Sequence, residues 1–188
     1  MDSHLTETRV AGELVYDGHF LKVQKDSVQL PDGKTASREY IRHPGAVVIL
    51  AVFDDGRVLM ERQFRYPLDR VMLELPAGKI DHNELTLLCA QRELQEETGY
   101  TATDWQFVCT IHNAIAYSDE HLEIFLARGL KAGPASLDDG EFLETYTATV
   151  DALLDDVRAG RITDVKTIIG IFWLDKIRSG AWSLDNAT

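Results

Sequence analysis

Three glutamates near the middle of the chain have a spacing that could hold a metal ion. Apolar residues between 84 and 98 recur at helical intervals and a glycine follows them, so this segment is predicted to be a helix. Glu93, Glu96 and Glu97 occupy positions i, i+3 and i+4 of it, which lie on one face. Like charges at this spacing repel, and Arg92 can offset only part of the repulsion. A hard divalent cation such as Mg²⁺ would neutralise the group.

An acidic helix face exposed to solvent is the simpler interpretation of three such glutamates. The wider register decides between the two. Gly78 is followed after five residues by Glu84, and positions 92–100 then read Arg-Glu-Leu-Gln-Glu-Glu-Thr-Gly-Tyr. This pattern resembles the signature of the Nudix hydrolases at every fixed position. The signature ends at a position that usually holds an aliphatic residue, and in this chain that residue is Tyr100. A chance match is expected on the order of once in a million such chains.

The resemblance extends beyond the motif to one branch of that family. Segments 62–66, 74–78 and 117–120 all resemble the ADP-ribose pyrophosphatases, and so does the strand-rich N-terminus. In those enzymes the N-terminal strands help to form a homodimer whose two subunits share the substrate sites. The resemblance therefore implies a homodimer that acts on a small nucleoside diphosphate sugar.

The family resemblance also implies a metal site with a catalytic base. The implied ligands are Glu93 and Glu97 as the principal pair, together with Glu96, Glu141 and the backbone carbonyl of Ala77, which a tight loop at 75–78 could present. The expected ion is Mg²⁺, with Mn²⁺ as an alternative. Glu141 belongs to an acidic loop, Asp138-Asp139-Gly140-Glu141, that resembles a mobile loop activating the attacking water. Within this region Glu144 is the second choice for the base.

Further residues are implied to orient the ligands and bind the substrate. Arg92 and Glu84 resemble a pair that braces the motif, and Arg92 is therefore grouped with the catalytic residues Glu97, Glu93 and Glu141. Arg65 resembles the arginine that meets the diphosphate. The other candidate substrate-binding residues are Arg62, Glu74 and Phe64. An aromatic ring such as Phe64 could stack on a base or simply pack, and both interpretations stay open.

The expected reaction is Mg²⁺-dependent hydrolysis of the diphosphate bond of ADP-ribose or a related nucleoside diphosphate sugar, which gives AMP and ribose 5-phosphate. Residues 113–116 contain no proline, although the ADP-ribose enzymes often have one there. Another nucleoside diphosphate derivative, such as GDP-mannose or a dinucleotide, is therefore an alternative substrate. A non-catalytic nucleotide sensor is the alternative from a different class, and the intact motif counts against it.

Composition and charge narrow the range of partners. The chain of 188 residues has 19 basic and 31 acidic side chains, a formal net charge of −12, which argues against binding to nucleic acid or an anionic membrane. No apolar run approaches the ~20 residues that span a bilayer, and the polar start is unlike a signal peptide. Cys89 and Cys109 are far apart, which is typical of a reduced cytoplasmic protein.

The elements that must position these residues form a mixed pattern. Strands are predicted within 9–42 and at 46–53, 58–64, 71–75, 105–111 and 121–127, helices at 84–98, 150–159 and 164–178, and an acidic loop at 137–144. At this length one domain is expected over 1–188, with an N-terminal strand-rich extension, 1–43, and a catalytic core, 44–188. The fold class is α/β with mixed strand order, and the resemblance implies an α/β/α sandwich around that sheet.

Overall fold

The computed structural model describes residues 2–137 and 139–184, so Asp138 of the predicted acidic loop lies outside the described residues. The chain divides into two compact units. The first contains the residues up to Gly45 together with 112–121, and the second contains 46–111 and the residues from Leu122 onward. The organisation of 1–188 as one domain stays a prediction.

The first unit is built on a three-stranded antiparallel sheet. Its strands are β1 (Thr8–Asp17), β2 (Lys22–Gln29) and β3 (Thr35–Arg42), in that order. Segment 112–121 joins the edge of β3, where Ile41 and Ser118 form a parallel bridge. Every residue of β1 is exposed, and Asp26 and Val28 of β2 are the buried strand residues of this sheet.

The second unit contains the remaining strands and all the helices of the described residues. The strands are β4 (Ala46–Ala51), β5 (Arg57–Arg65), β6 (Arg70–Glu74), β7 (Ala77–Lys79), β8 (Tyr100–Thr101), β9 (Asp104–Ile111), β10 (Leu122–Arg128), β11 (Lys131–Ala132) and β12 (Leu143–Thr149). The helices are α1 (Thr86–Thr98), α2 (Val150–Arg158) and α3 (Val165–Arg178), with a 3-10 turn at Tyr66–Leu68. Over residues 2–137 and 139–184, none of the helices has the length and apolar character needed to cross a membrane.

Three sheets make up this unit. The largest has the order β7-β4-β10-β9 and is mixed, because β4 pairs in parallel with β10 whereas its other pairs are antiparallel. A second sheet has the order β12-β5-β6 and is antiparallel throughout. The strands β11 and β8 form a short third sheet.

The core lies on both faces of β4, whose six residues are all buried. Because side chains alternate along a strand, Val48 lies in one apolar cluster and Val47 in another. The first cluster includes residues of α2 and α3, among them Ile171, and the second includes residues of α1, among them Leu94. Helices therefore cover both faces of the mixed sheet, and the predicted α/β/α sandwich is confirmed.

Two local predictions are wrong. The acidic loop 137–144 ends early, because Leu143 and Glu144 begin β12, a polar strand that pairs with β5 through its backbone. Segment 75–78 is not a tight loop into a helix, because Ala77 begins β7, which pairs with β4, and α1 starts only at Thr86. Both strands were missed because pairing with a neighbouring strand, rather than a local apolar pattern, determines them.

The first turn of α3 is fixed to the end of β6. Asp164 caps the helix by accepting a hydrogen bond from the Thr167 N–H at 3.0 Å. The Thr167 hydroxyl oxygen, which is fully buried, accepts a hydrogen bond from the Leu75 N–H at 2.9 Å. The start of α3 is therefore held beside Glu74, the last residue of β6.

Candidate active site

Helix α1 carries the acidic motif and lies close to β7. Gly99 ends the helix in the left-handed conformation, with φ of 74°, and its N–H donates to the Gln95 carbonyl. On β7, a Cβ at Gly78 would overlap the carboxyl group of Glu93. A side chain at this first glycine of the motif would therefore displace the Glu93 carboxyl group from its present position.

Arg92 connects three carboxylates around the motif. Its Nε and Nη2 donate to the two carboxylate oxygens of Glu84, both at 2.9 Å, and its Nη1 donates to Glu93 at 2.8 Å and to Glu96 at 3.0 Å. The Arg92 guanidinium lowers the pKa of Glu84 to about 2. The structure thus brings the predicted brace together with two predicted metal ligands, and its effect on catalysis stays a prediction.

Glu97 and Glu61 form a buried acidic pair. Glu97 is 7% exposed and accepts a hydrogen bond from the Ala77 N–H at 3.2 Å. Glu61 on β5 is 3% exposed, and within the described part of the chain its Oε1 has no hydrogen-bond partner. Burial raises the pKa of both carboxyl groups, and the charge of Glu61 raises that of Glu97 further. Without a cation, the pair therefore keeps a proton at neutral pH.

Two more carboxylates interact with this pair. Burial raises the pKa of Glu93, although the charge of the neighbouring arginine opposes the effect. The charge of Glu141 raises the pKa of Glu61, Glu93 and Glu97 alike. Gln63 Nε2 donates to Glu141 Oε1 at 3.2 Å and holds it at β5. Glu141 is therefore held at β5, and its place in the metal site stays a prediction.

The chemistry of this carboxylate group (Glu61, Glu93, Glu97 and Glu141) fits a hard divalent cation. The like charges of its two buried members, Glu61 and Glu97, lack full neutralisation, and carboxylate oxygens are the ligands that such ions prefer. Among residues 2–137 and 139–184, however, no three His, Cys, Asp or Glu side chains are arranged to hold a metal ion. The donor groups are present, whereas the ligand set, including the carbonyl of Ala77, stays a prediction.

Glu74 is the centre of a second buried group. It lies opposite Glu61 across β5 and β6 and is 4% exposed. Arg65 donates to both of its oxygens, from Nε at 2.7 Å and from Nη2 at 2.8 Å, and Lys166 Nζ pairs with Oε2. Burial alone would raise the pKa of Glu74, but the two cations outweigh it and lower the pKa to about 2. Glu74 is therefore a permanent anion between two cations.

The other predicted substrate-binding residues lie at the surface. Arg62 Nη1 donates to Glu144 Oε2 at 2.8 Å, and both side chains are more than half exposed. Phe64 is 50% exposed. The structure thus brings Arg65 and Glu74 together and separates them from the Arg62–Glu144 pair. Substrate contacts of all four predicted residues stay predictions, and so does the choice between stacking and packing for Phe64.

Two residues of the site, Glu61 and Lys166, were not predicted. The available signal for Glu61 was a glutamate directly after the apolar run 58–60 of a predicted strand. The signal for Lys166 was a lysine two residues after the helix cap Asp164, where the helix dipole disfavours a cation. Each is a charged residue at a position where the local pattern favours an uncharged one.

Comparison with known proteins places this site in a family. Residues 42–164 match the NUDIX domain, and residues 7–41 match the nucleoside diphosphate sugar hydrolase N-terminal domain. The chain therefore belongs to the Nudix hydrolase family, and the predicted enzyme class is confirmed. Nudix hydrolases generally use divalent metal ions, in agreement with the chemistry of the carboxylate group.

Several relatives align with nearly the whole chain. An ADP-ribose pyrophosphatase of Bacillus subtilis (strain 168) is 38% identical over 172 residues, which are 90% of this chain and 93% of that protein. A methanol dehydrogenase activator of Bacillus methanolicus is 36% identical over 170 residues, 89% of this chain and 92% of that protein. The crystal structure of an ADP compounds hydrolase has the same fold, with a TM-score of 0.82 at 21% identity, covering 94% of this chain and 97% of its own.

Replacing Glu97 by glutamine should stabilise the metal-free protein at alkaline pH. A carboxyl group with a raised folded-state pKa binds its proton more tightly when folded, so stability falls as pH rises from about 4.5, its ordinary pKa, towards the raised pKa. Glutamine is neutral at every pH. We expect Glu97→Gln to raise the free energy of unfolding at pH 8 by about 1 kcal/mol or more and to reduce its fall between about pH 5 and 8.

Urea unfolding in the presence of a chelator, repeated across this pH range, measures the effect. The exposed Glu144→Gln is the matched control and should change the free energy of unfolding by less than about 0.5 kcal/mol. Identical pH dependence in the wild type and Glu97→Gln would contradict the buried acidic pair.

Proposed function

We propose that the protein hydrolyses the diphosphate bond of ADP-ribose, or of a related nucleoside diphosphate sugar, to AMP and ribose 5-phosphate or the corresponding products. The observation that carries the proposal is the position of the carboxylate group beside Arg65: Glu61 of that group lies opposite Glu74, and Glu74 accepts two hydrogen bonds from Arg65. A cation on the carboxylates and a guanidinium nearby suit a substrate with two adjacent phosphates. The Bacillus subtilis relative, named for ADP-ribose, supports this substrate.

The proposed ion is Mg²⁺, with Mn²⁺ as the alternative. The proposed ligands are Glu93, Glu96, Glu97, Glu141 and the carbonyl of Ala77, and Glu61 is added because its Oε1 lacks a partner within the described residues. When bound, the ion would neutralise phosphate oxygens and lower the pKa of a bound water molecule. The hydrogen bonds from Arg92 to Glu93 and Glu96 support its proposed role in orienting these ligands.

The side chains of the protein supply the remaining chemistry. Glu141 accepts the proton of the attacking water as a new P–O bond forms and the bridging P–O bond breaks. Arg65 binds the diphosphate so that the bond to be broken lies in line with the attacking water. Its other edge is bonded to Glu74, so the guanidinium is already oriented before the substrate arrives.

We also propose that the protein is a cytoplasmic homodimer. Its substrates are small molecules, and it acts on neither nucleic acid nor membranes. The wholly exposed strand β1 carries large apolar side chains, among them Val10, Leu14 and Tyr16, with exposures of 66%, 45% and 57%. Several large apolar side chains exposed along one strand favour an interface at this strand. The free cysteines Cys89 and Cys109 agree with a reducing compartment.

A hydrolysis screen in Mg²⁺ tests the reaction and the substrate together. The substrates are ADP-ribose, GDP-mannose and a dinucleotide, and both products of each are identified by mass spectrometry. We expect the highest kcat/KM with ADP-ribose, giving AMP and ribose 5-phosphate. Glu97→Gln should lose several orders of magnitude in kcat while it stays folded, because it removes a proposed ligand.

Each other result of the screen has a distinct meaning. A higher kcat/KM with GDP-mannose or the dinucleotide would identify that compound, rather than ADP-ribose, as the substrate. Binding of nucleotides without turnover of any compound would instead indicate a sensor. Near-normal turnover by Glu97→Gln in Mg²⁺ would show that the metal site is assigned to the wrong residues.

A pair of substitutions separates the two candidates for the catalytic base. Glu141 lies close to the motif glutamates, whereas Glu144 pairs with Arg62 at the surface. We expect Glu141→Gln to lower kcat by about 10²- to 10⁴-fold, the usual contribution of a general base. The matched Glu144→Gln should stay within about threefold of the wild type. The reverse order of effects would assign the base to Glu144.

Sedimentation velocity tests the proposed homodimer. The wild type is expected to sediment as a dimer at micromolar concentration, and Tyr16→Asp should shift it towards the monomer by placing a charge in the interface. Phe172→Asp, at a similarly exposed apolar residue of α3, is the control and should leave the dimer intact. A monomeric wild type would refute this part of the proposal.

A further inference from the structure

Lys166 lies outside the motif and outside every segment in which the sequence analysis placed a site residue. We infer that Lys166 is a positioning residue, which holds the carboxylate of Glu74 in place and thereby orients Arg65 towards the substrate diphosphate. This inference rests on the proposed function, in which Arg65 binds the diphosphate. It adds a residue from helix α3 to a site otherwise built from strands, α1 and the segment before β12.

Arg65 contacts Glu74 through one edge of its guanidinium group. Nε and Nη2 each donate to one carboxylate oxygen, and among the described residues Nη1 has no acceptor within hydrogen-bond distance. The Arg65 side chain is 42% exposed, so the unbonded edge is accessible to an anion. A planar guanidinium bonded twice to one carboxylate takes the orientation of that carboxylate. The direction of the unbonded edge is therefore set by Glu74.

Lys166 holds Glu74 from a different element. Its Nζ pairs with Glu74 Oε2, the oxygen that also accepts from Arg65 Nη2, and with Asp164 Oδ2 at 3.0 Å. The Lys166 side chain is only 11% exposed. A carboxylate bonded to Arg65 alone could turn together with it. A second bond from α3 removes that freedom, as outer contacts do for ligands in other sites.

The ammonium group of Lys166 is itself held in a fixed place. The hydrogen bond from the Leu75 N–H to the Thr167 hydroxyl ties the residue after Lys166 to the residue after Glu74. The cap formed by Asp164 fixes the first turn of the helix. The bond between Leu75 and Thr167 therefore fixes the start of α3 to the end of β6 directly beside the ion pair.

The location of Lys166 is costly for the helix that carries it. A cation in the first turn opposes the helix dipole, and a buried ammonium loses its hydration. A structural explanation is that Lys166 offsets the like charges of Glu74 and Glu61, which lie opposite each other on β5 and β6. On that explanation, replacing Lys166 changes the stability alone. If Lys166 is a positioning residue, replacing it lowers the activity because Arg65 loses its orientation.

A double-mutant cycle distinguishes the two explanations. Lys166→Met should lower kcat/KM for ADP-ribose by about 10- to 100-fold, as expected for a misplaced substrate contact. In an Arg65→Ala background the same change should lower it by no more than about threefold, because the contact is already lost. Lys176→Met, on the same helix but 44% exposed and paired with Asp175, is the control and should stay within about twofold of the wild type.

Folding is checked for each variant by its thermal unfolding midpoint. If Lys166→Met does not fold at the assay temperature, Lys166→Gln, which keeps a donor for Glu74 Oε2, takes its place in the cycle. Lys166→Arg, which keeps the charge, should recover most of the lost kcat/KM. Equal losses from the Lys166 change in the wild-type and Arg65→Ala backgrounds would overturn the inference.

The same measurements separate this inference from the proposed function. Loss of activity in Arg65→Ala, with normal kcat/KM in a folded Lys166 variant, would overturn the role of Lys166 alone. Normal kcat/KM in Arg65→Ala would overturn the role of Arg65 in diphosphate binding, and with it the positioning role. A wild type that hydrolyses none of the screened compounds would overturn both proposals.

Discussion

Electrostatic repulsion among buried carboxylates is the interaction on which this structure depends. Four glutamates of the site form two contrasting pairs. Glu84 and Glu74 are each held by an arginine and have pKa values of about 2, so they are anions at any physiological pH. Glu61 and Glu97 are buried without such a partner, and burial raises their pKa values. Glu61 and Glu97 lack a neutralising arginine, and a divalent cation would supply the missing positive charge.

The elements that carry this charge also build the core, because α1 contributes Leu94 and β5 contributes Leu59 to one apolar cluster. The largest sheet places β4 at the centre of the apolar core, with helices on both faces. The acidic residues come from α1, from the paired strands β5 and β6, and from the segment before β12. Glu61, Glu74 and Glu97 are almost completely buried, so their unfavourable charge lies against the apolar core.

The sequence predicts the parts of the site whose residues are close together in the chain. Glu93, Glu96 and Glu97 share one helix, so their common face follows from spacing alone, and the apolar run of β4 indicates the core. The positions of Glu61 and Lys166 depend instead on the register of β5 against β6 and on the docking of α3. These are long-range contacts, which no local pattern encodes. The strand β12 was missed for the same reason, because its polar side chains are not periodic in hydrophobicity.

The first compact unit is discontinuous, because segment 112–121 belongs to it although the chain on both sides, β9 and β10, belongs to the second unit. This segment bonds to the edge of β3, where Ile41 N–H donates to the Tyr117 carbonyl at 2.8 Å and Asp119 N–H donates to the Ile41 carbonyl at 3.2 Å. During synthesis, the N-terminal strands therefore leave the ribosome before segment 112–121, which pairs with the edge of β3, has been made. For the same reason, residues up to Gly45 are not a complete unit that can be moved to another protein. A chimera that contains this unit also needs segment 112–121.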